Sequence, residues 1–266
     1  MNQNFRNEVS AYYDKEACSY EDRHMVNETI NRIRADFRKK VLAEPMPAMV
    51  LEIGVGVGFD IVYFAEKYPH THFYGIDISE KMLEEAQKRV DSHQLKNVTL
   101  RLVSVEELPA FFKTERFDLI YIFFGALNTV KNFQEGVDAL TLVLKPHGRV
   151  LGTFVNKFYF WEFFVHFVKF KYKIAFRRLK KVWGGYSLKY FVPSYLYYPR
   201  KIKKTFKKYK IAYRRGYSIS YPAWYQDSFR KKLGKFAERL WRFDNFLNKT
   251  FFWKWGEYVL FDFRKK

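Results

Sequence analysis

Three glycines and two carboxylates are spaced as the binding site of a nucleotide-like ligand requires. Gly54, Gly56 and Gly58 alternate behind Glu52 in the run EIGVGVG, and Asp77 follows nineteen residues after the last glycine. Glycines let a chain turn tightly and approach a ligand that lies over the next helix. A dinucleotide-binding fingerprint spaces its glycines differently. Glu52 would repel a diphosphate and favour a sulfonium, while Asp77 could accept hydrogen bonds from ribose hydroxyls.

These residues follow short apolar runs that alternate with amphipathic stretches. The runs are MVLEI (49–53), HFYGID (72–77), VTLRLV (98–103), FDLIYIFF (117–124) and RVLGTFV (149–155), and helical periodicity lies between them at about 57–67, 80–92, 105–112 and 132–144. Such alternation predicts an α/β fold, a parallel sheet with helices on both faces. IAYRRGYSIS, one helix from Phe229 to Leu247, and EYVLFDF would complete the sheet.

The order and spacing of five segments resemble the class I S-adenosylmethionine-dependent methyltransferases. The segments are VLEIGVGVG, FYGIDIS, VSVEELP, FDLIYIFFGALN and LKPHGRVLG. The resemblance covers roughly 49–155 and extends to the final strand. It implies a Rossmann-like sheet of seven strands with the last one antiparallel, and S-adenosylmethionine as the cofactor, with S-adenosylhomocysteine as its product. It also implies that the glycines pass beside the methionine part, that Asp77 holds the ribose and that Ile78 flanks the adenine.

The same resemblance implies the rest of the cofactor site. The family commonly offers an acid to the adenine amino group, in a pattern like GDAEELP, and Ser104 stands at that place here. The expected lining is completed by Met82, Val105 and Phe123, with Tyr13 and Tyr20 closing over it from an N-terminal helical lid. Ordinary packing of the two tyrosines is the alternative interpretation.

Charge and composition divide the chain into four segments. We expect a helical lid at 1–48, a cofactor-binding core at 49–155, a substrate cap at 156–209 and a completion of the sheet at 210–266. Between Lys157 and Arg215 lie eighteen Lys or Arg, one acid and twenty aromatic residues, so this stretch carries +17 of the formal charge of +20. An inserted basic, aromatic cap is therefore predicted.

Glu162 and His166 are the acid and the histidine of this cap. If a helix runs from Phe158 to Lys180, they lie one turn apart on one face, which predicts a proton-accepting pair. A surface pair with no part in the chemistry is the alternative. After the fourth strand the chain reads FFGALN, not the Asn/Asp-Pro-Pro box of enzymes that methylate exocyclic amines of DNA bases or a protein glutamine. The run from Phe124 to Asn128 is similar to the same place in quinone-biosynthesis methyltransferases.

We therefore expect in-line transfer of a methyl group to a small acceptor, lipophilic or anionic. An RNA methyltransferase that holds nucleic acid on the cap is the second interpretation, and a non-catalytic cofactor-binding scaffold is the third. The cap also predicts peripheral contact with an anionic membrane. Cys18 is the single cysteine, so no Cys-rich metal site is expected. Without a run typical of a signal peptide or a membrane span, the sequence indicates a cytoplasmic protein.

Overall fold

The computed structural model describes residues 2–114, 116–185 and 191–266, with side chains described outside 2–3 and 21–25. These ranges contain a seven-stranded sheet: β1 (Met49–Ile53), β2 (His72–Asp77), β3 (Val98–Leu102), β4 (Phe117–Ile122), β5 (Leu144–Val155), β6 (Tyr209–Tyr217) and β7 (Tyr258–Lys265). Their order is β3-β2-β1-β4-β5-β7-β6. The first five strands pair in parallel, and β7 runs antiparallel to both of its neighbours. The predicted Rossmann-like sheet is confirmed.

The described helices are α1 (Asn2–Met25), α2 (Glu28–Val41), α3 (Phe59–Lys67), α4 (Glu80–Ser92), α5 (Leu108–Phe111), α6 (Phe133–Val143), α7 (Phe160–Val168), α8 (Tyr172–Ala175), α9 (Pro199–Thr205), α10 (Asp227–Leu233) and α11 (Lys235–Leu247). Side-chain caps begin several of them: Asn27 caps α2, Ser79 caps α4 and Asn132 caps α6. Each cap satisfies a backbone N–H that has no partner within its helix. None of the helices in these ranges is long and apolar enough to cross a membrane.

Two long helices expected from periodicity are each broken. The predicted helix from Phe158 to Lys180 is wrong: α7 ends at Val168, and Phe170 has a left-handed φ of 56°. The Lys171 N–H donates to the His166 carbonyl at 2.8 Å, which closes the end of α7 before α8 begins. The expected helix from Phe229 to Leu247 is likewise divided into α10 and α11 at Gly234, whose φ of 50° and ψ of −128° are not helical.

The sheet has an apolar layer on each face, because successive side chains of a strand point to opposite sides. Val50 packs with residues of α2 and α3, and Leu51 packs with residues of α6 and α9. The chain runs outward from β1 to β3 and then returns to the other side of β1 as β4. Such a reversal leaves a crevice at the carboxyl ends of the strands, where ligands bind in open α/β sheets.

Candidate functional site

A cavity of about 240 Å³ opens at the carboxyl ends of β1 to β4. Ten of the twelve side chains and glycines predicted to bind the cofactor line it: Tyr13, Tyr20, Gly54, Gly56, Asp77, Ile78, Met82, Ser104, Val105 and Phe123. They come from α1 and from the segments that follow four different strands. The topology therefore gathers in one crevice residues that lie more than a hundred positions apart in the chain.

The floor of this cavity is built from the turn after β1 and the acid after β2. Gly56 has a φ of 53°, and its backbone N–H donates to Asp77 Oδ2 at 2.9 Å. Asp77 Oδ1 accepts from the N–H groups of Ile78 at 2.8 Å and Ser79 at 3.0 Å. Withdrawal from water raises the pKa of the Asp77 carboxyl, against these hydrogen bonds, which lower it. Since a carboxylate has about four acceptor positions, three are used and one is left for a ligand hydroxyl.

Glu52 and Gly58 lie outside the cavity lining. Glu52 is buried, and its Oε2 accepts a hydrogen bond from the Tyr121 hydroxyl at 2.8 Å. Burial and the nearby Asp60 raise its pKa. Gly58 begins α3, and a Cβ at its position would lie 3.3 Å from Cα and Cβ of Ala86 on α4. The predicted contact of these two residues with the cofactor stays a prediction, and their visible contacts are with the protein core.

The segment after β3 presents an acid to the cavity that the sequence analysis did not single out. The hydroxyl of Ser104 donates to Glu107 Oε2 at 2.8 Å, within a capping box at the start of a short 3-10 turn. Glu106, two residues after Ser104, is half-buried and lines the cavity. Partial burial raises the pKa of its carboxyl. Glu107 lines the cavity as well, and its carboxylate is engaged with Ser104, so Glu106 is the acid that remains for a ligand; two adjacent acids after an apolar strand were the available signal.

Helix α1 forms the outer wall of the cavity. The Ser10 hydroxyl donates to the Ile78 carbonyl at 2.8 Å, and Asp14 Oδ1 accepts from the Ser79 hydroxyl at 2.6 Å. Arg6 forms an ion pair with Glu107 at 2.7 Å. These contacts join α1 to the ends of β2 and β3, and they place Tyr13 against the cavity. The phenol of Tyr13 has a raised pKa, chiefly because of burial.

A second cavity, of about 350 Å³, adjoins the first. The two linings share Tyr13, Tyr20, Phe124 and Thr129. The other aromatic residues of the second lining are Tyr12, Trp183, Trp224, Tyr225 and Tyr258. Among its described lining residues the one ionisable carboxyl is Glu16, and none is Lys or Arg. The second cavity is therefore an aromatic chamber whose described walls carry none of the basic charge of the cap.

The junction of the two cavities has a strained backbone. Phe124 has a φ of 51° and Gly125 a φ of 79°, immediately after β4. Asn128 fixes this loop: its Nδ2 donates to the Tyr195 carbonyl at 2.6 Å, and its Oδ1 accepts from the Val155 N–H at 2.9 Å. A bulky residue in the left-handed region is uncommon and is held there by its surroundings. The Phe124 to Asn128 run noted in the sequence thus positions the wall between the cavities.

Glu162 and His166 line neither cavity. The Glu162 carboxylate accepts from Arg177 Nε at 2.7 Å and from the Tyr225 hydroxyl at 2.8 Å, and Arg178 Nε lies 3.3 Å away. The two arginines hold its pKa at about 2, despite a burial that by itself would raise it. Burial lowers the pKa of His166. Proton transfer by this pair stays a prediction. The observed contact of Glu162 with the chamber is the hydrogen bond that it accepts from Tyr225.

The described residues contain no group of three or more His, Cys, Asp or Glu side chains that could hold a metal ion.

The strand order, the glycine turn after β1 and the acid after β2 define a nucleotide-binding protein of the Rossmann-like class. A family model described as a methyltransferase domain matches residues 48–215. The chain therefore belongs to the methyltransferase domain family, of the class I, S-adenosylmethionine-dependent type.

Similar proteins agree with this assignment. The chain is 31% identical over 122 residues to a ubiquinone/menaquinone biosynthesis C-methyltransferase of Ruegeria sp., an alignment that covers 46% of this chain and 48% of that one. The chain spans about half or less of the length of the curated relatives that it matches first.

Two solved structures share the fold. A possible histamine N-methyltransferase of Thermotoga maritima superposes with a TM-score of 0.58 at 15% identity, over 97% of this chain and 100% of that chain. Phosphoethanolamine N-methyltransferase 2 of Haemonchus contortus, solved with phosphomonomethylethanolamine and S-adenosylhomocysteine, gives a TM-score of 0.60 at 20% identity, over 98% of this chain and 60% of that chain. At these identities the likeness concerns the fold.

Proposed function

We propose that this protein transfers the methyl group of S-adenosylmethionine to a small lipophilic acceptor held in the aromatic chamber. The observation that carries the proposal is the wall shared by the two cavities, at Tyr13, Tyr20, Phe124 and Thr129. In-line displacement requires the acceptor atom, the methyl carbon and the sulfur to lie on one line. Two adjoining cavities that share these lining residues can hold the two reactants in that relation.

The residues of the first cavity fit S-adenosylmethionine. No atom lies within 4 Å of a Cβ built on Gly56, so this part of the floor is open to a ligand. Asp77 keeps one acceptor position for a ribose hydroxyl, and Ile78, Met82 and Val105 offer apolar surface to an adenine ring. When bound, the cofactor supplies an electrophilic methyl group on a sulfonium sulfur.

The chamber residues support a lipophilic acceptor over an anionic one. Rings of Tyr, Trp and Phe bury apolar surface and stack on planar molecules, whereas an anion would be expected to meet Lys or Arg. The described lining has neither. The similarity to a ubiquinone/menaquinone biosynthesis C-methyltransferase favours the same class of acceptor. The Glu162 carboxylate accepts a hydrogen bond from the Tyr225 hydroxyl and so holds Tyr225 in this wall, although Glu162 itself does not line the chamber.

A panel of acceptors tests the proposal. S-adenosylhomocysteine formation is measured with planar phenols and quinols, with anionic aromatic acids and with structured RNA. Turnover of the neutral, lipophilic members is expected, and preferred turnover of RNA or of the acids would overturn the proposal.

The variant Asp77→Asn serves as the matched control. Because it replaces the charged oxygen available to a ribose hydroxyl by an uncharged amide that cannot accept there, it puts at risk a charge-assisted hydrogen bond of roughly 1.5–3 kcal/mol and should weaken S-adenosylhomocysteine binding by about ten- to hundredfold. Unchanged affinity in a folded variant would contradict the cofactor site.

A further inference from the structure

An exposed aromatic surface lies on the cap, away from both cavities. Seven consecutive residues from Phe167 to Lys173 are exposed, and the sequence FVKFKYK contains four apolar or aromatic side chains and three lysines. Phe170, at the turn between α7 and α8, is 79% exposed. A monomeric protein rarely leaves such a run of large apolar side chains in water without a partner.

Ring contacts make this surface continuous. Phe170 contacts Tyr172, Tyr172 contacts Phe167, and Phe167 stacks on Phe163, with ring centroids 6.2, 5.4 and 5.5 Å apart. From Phe163 the contacts continue through Phe158 and Trp255 to Phe251, which is also exposed. The aromatic surface, from Phe167 to Phe251, therefore crosses two segments that are far apart in the chain.

Basic side chains accompany the aromatic surface. Lys169, Lys171 and Lys173 are exposed, and no ion pair joins them to an acid within the described ranges. Beside Phe158 and Trp255 a shallow groove is lined by further exposed cations: Arg200, Lys201, Lys204 and Lys254. Apolar rings surrounded by cations are complementary to the boundary of an anionic bilayer, where rings enter the acyl region and cations meet headgroups.

Buried contacts connect the aromatic surface to the wall of the aromatic chamber. Glu162, on α7, accepts the hydrogen bond of the chamber residue Tyr225. Arg178 lies 3.3 Å from Glu162, and its guanidinium stands over the ring of the chamber residue Trp183 at 5.0 Å. Buried contacts therefore hold the outer face of the cap in a fixed relation to the place where an acceptor would react.

We propose that the aromatic surface docks the protein on an anionic lipid bilayer, so that a lipophilic acceptor is taken from the membrane. The proposal rests on the proposed function for the acceptor and adds its source. Docking requires no cofactor, so vesicle binding tests the docking proposal and turnover tests the proposed function. Either measurement can fail without the other. The same cations could contact RNA, and the experiment separates the two partners.

The test uses the full chain and vesicles of phosphatidylcholine, alone or mixed in equal parts with phosphatidylglycerol. Flotation with the anionic vesicles is expected for the wild type. Phe167→Ser with Phe170→Ser should reduce partition by about tenfold or more, because two large side chains lose their apolar burial. Phe243→Ser with Phe246→Ser is the matched control, since these rings on α11 are 48% and 59% exposed, and it should float like the wild type.

Charge is tested separately. Lys169→Ala and Lys171→Ala should each weaken binding to the anionic vesicles by about fivefold. Circular dichroism and thermal unfolding confirm that every variant is folded. Failure of the wild type to float, equal loss in the α11 control, or a gel shift with structured RNA in the absence of vesicle binding would overturn the proposal.

Discussion

Gly56 combines a backbone conformation that favours glycine with an open side facing the first cavity. Its φ is 53°, and no atom lies within 4 Å of a Cβ at its position. A methyl group there would occupy ligand space, so Gly56→Ala should weaken S-adenosylhomocysteine binding by about 1.5–3 kcal/mol, roughly ten- to hundredfold. The left-handed conformation should also cost roughly 1–2 kcal/mol of folding stability. Calorimetry and thermal unfolding measure the two effects.

Gly234 provides the control for this substitution. It has a φ of 50° and open space around its missing Cβ, but it joins α10 to α11 and lines neither cavity. Gly234→Ala should lose at least as much stability and keep its affinity for the cofactor product. Equal losses of affinity in the two variants would mean that backbone strain, and not occupation of the cavity, explains the result for Gly56.

Glu106 is expected to recognise the adenine amino group. It is half-buried in the cavity lining, while the Ser104 hydroxyl is engaged with Glu107. Glu106→Gln replaces a charged acceptor by a neutral one and should cost about 1 kcal/mol of S-adenosylhomocysteine affinity. Binding of S-inosylhomocysteine, which has a 6-oxo group, should not fall in parallel. Glu135→Gln, an exposed neighbour outside the lining, is the control, and a parallel loss for both ligands would refute this role.

At the residue scale, the sequence predicted those lining residues of the first cavity that lie at the ends of strands. Gly54 and Gly56 follow β1, and Asp77 ends β2. Both strands are recognisable from their apolar runs, and a parallel sheet brings their carboxyl ends together at one edge. The aromatic chamber was not predictable in this way. Trp183 comes from an irregular segment after β5 and Trp224 from a short 3-10 turn after β6, and no periodicity specifies where such segments cross.

Among the elements, α1 is attached to the cavity by a few polar contacts. Ser10 and Asp14 bind the start of α4 and the end of β2. Without them the wall that carries Tyr13 should open more easily. Ser10→Ala with Asp14→Ala removes hydrogen bonds of about 0.5–1.5 kcal/mol each, so dissociation of S-adenosylhomocysteine should accelerate by roughly tenfold.

Stopped-flow fluorescence measures this dissociation rate. Lys15→Ala, an exposed substitution on the same helix, should leave it unchanged. A rate equal to the wild type in the double variant would show that α1 does not retain the ligand.

The helix boundaries show where periodicity misleads. Apolar residues recur at steps of three and four across both Phe170 and Gly234, yet each position ends a helix. At Gly234 the sequence held the signal, because glycine favours a helix end. At Phe170 it did not: phenylalanine gives no local signal for a left-handed turn, and the ion pairs of Glu162 with Arg177 and Arg178, which join the next segment to α7, link residues that periodicity does not relate.

At the scale of the whole molecule, the basic charge of the cap and the aromatic chamber are separated. The sequence placed +17 of charge and twenty aromatic residues in one stretch. The structure sorts part of that stretch: Trp183 enters the chamber, whereas Lys169, Lys171 and Lys173 are exposed on the outside. Composition could not reveal this division, because it depends on which side of each short helix faces the sheet. Glu162 stands between the two sides.

Glu162 should make the cap sensitive to acid. Its carboxyl has a pKa of about 2 in the folded chain, against 4.5 for an ordinary glutamate. Because the folded pKa is depressed, the stabilisation is complete above about pH 4.5 and is lost as the pH falls towards 2. At 1.36 kcal/mol for each pH unit, the contribution at pH 7 is on the order of 3 kcal/mol. Glu162→Gln should lose that amount of unfolding free energy at pH 7, and its difference from the wild type should shrink below pH 4.

Urea unfolding between pH 7 and pH 3.5 measures this difference. His166→Ala, one turn away on α7, is the control: it removes no hydrogen-bond donor to the carboxylate and should change the unfolding free energy little. The same variant tests the proton-accepting role, because a fall in turnover of about 10²–10⁴ would identify His166 as a base. Turnover near the wild type in His166→Ala, with reduced turnover in Glu162→Gln, would instead show that Glu162 acts through Tyr225. A stability difference that stays constant with pH would refute the ionised state of Glu162.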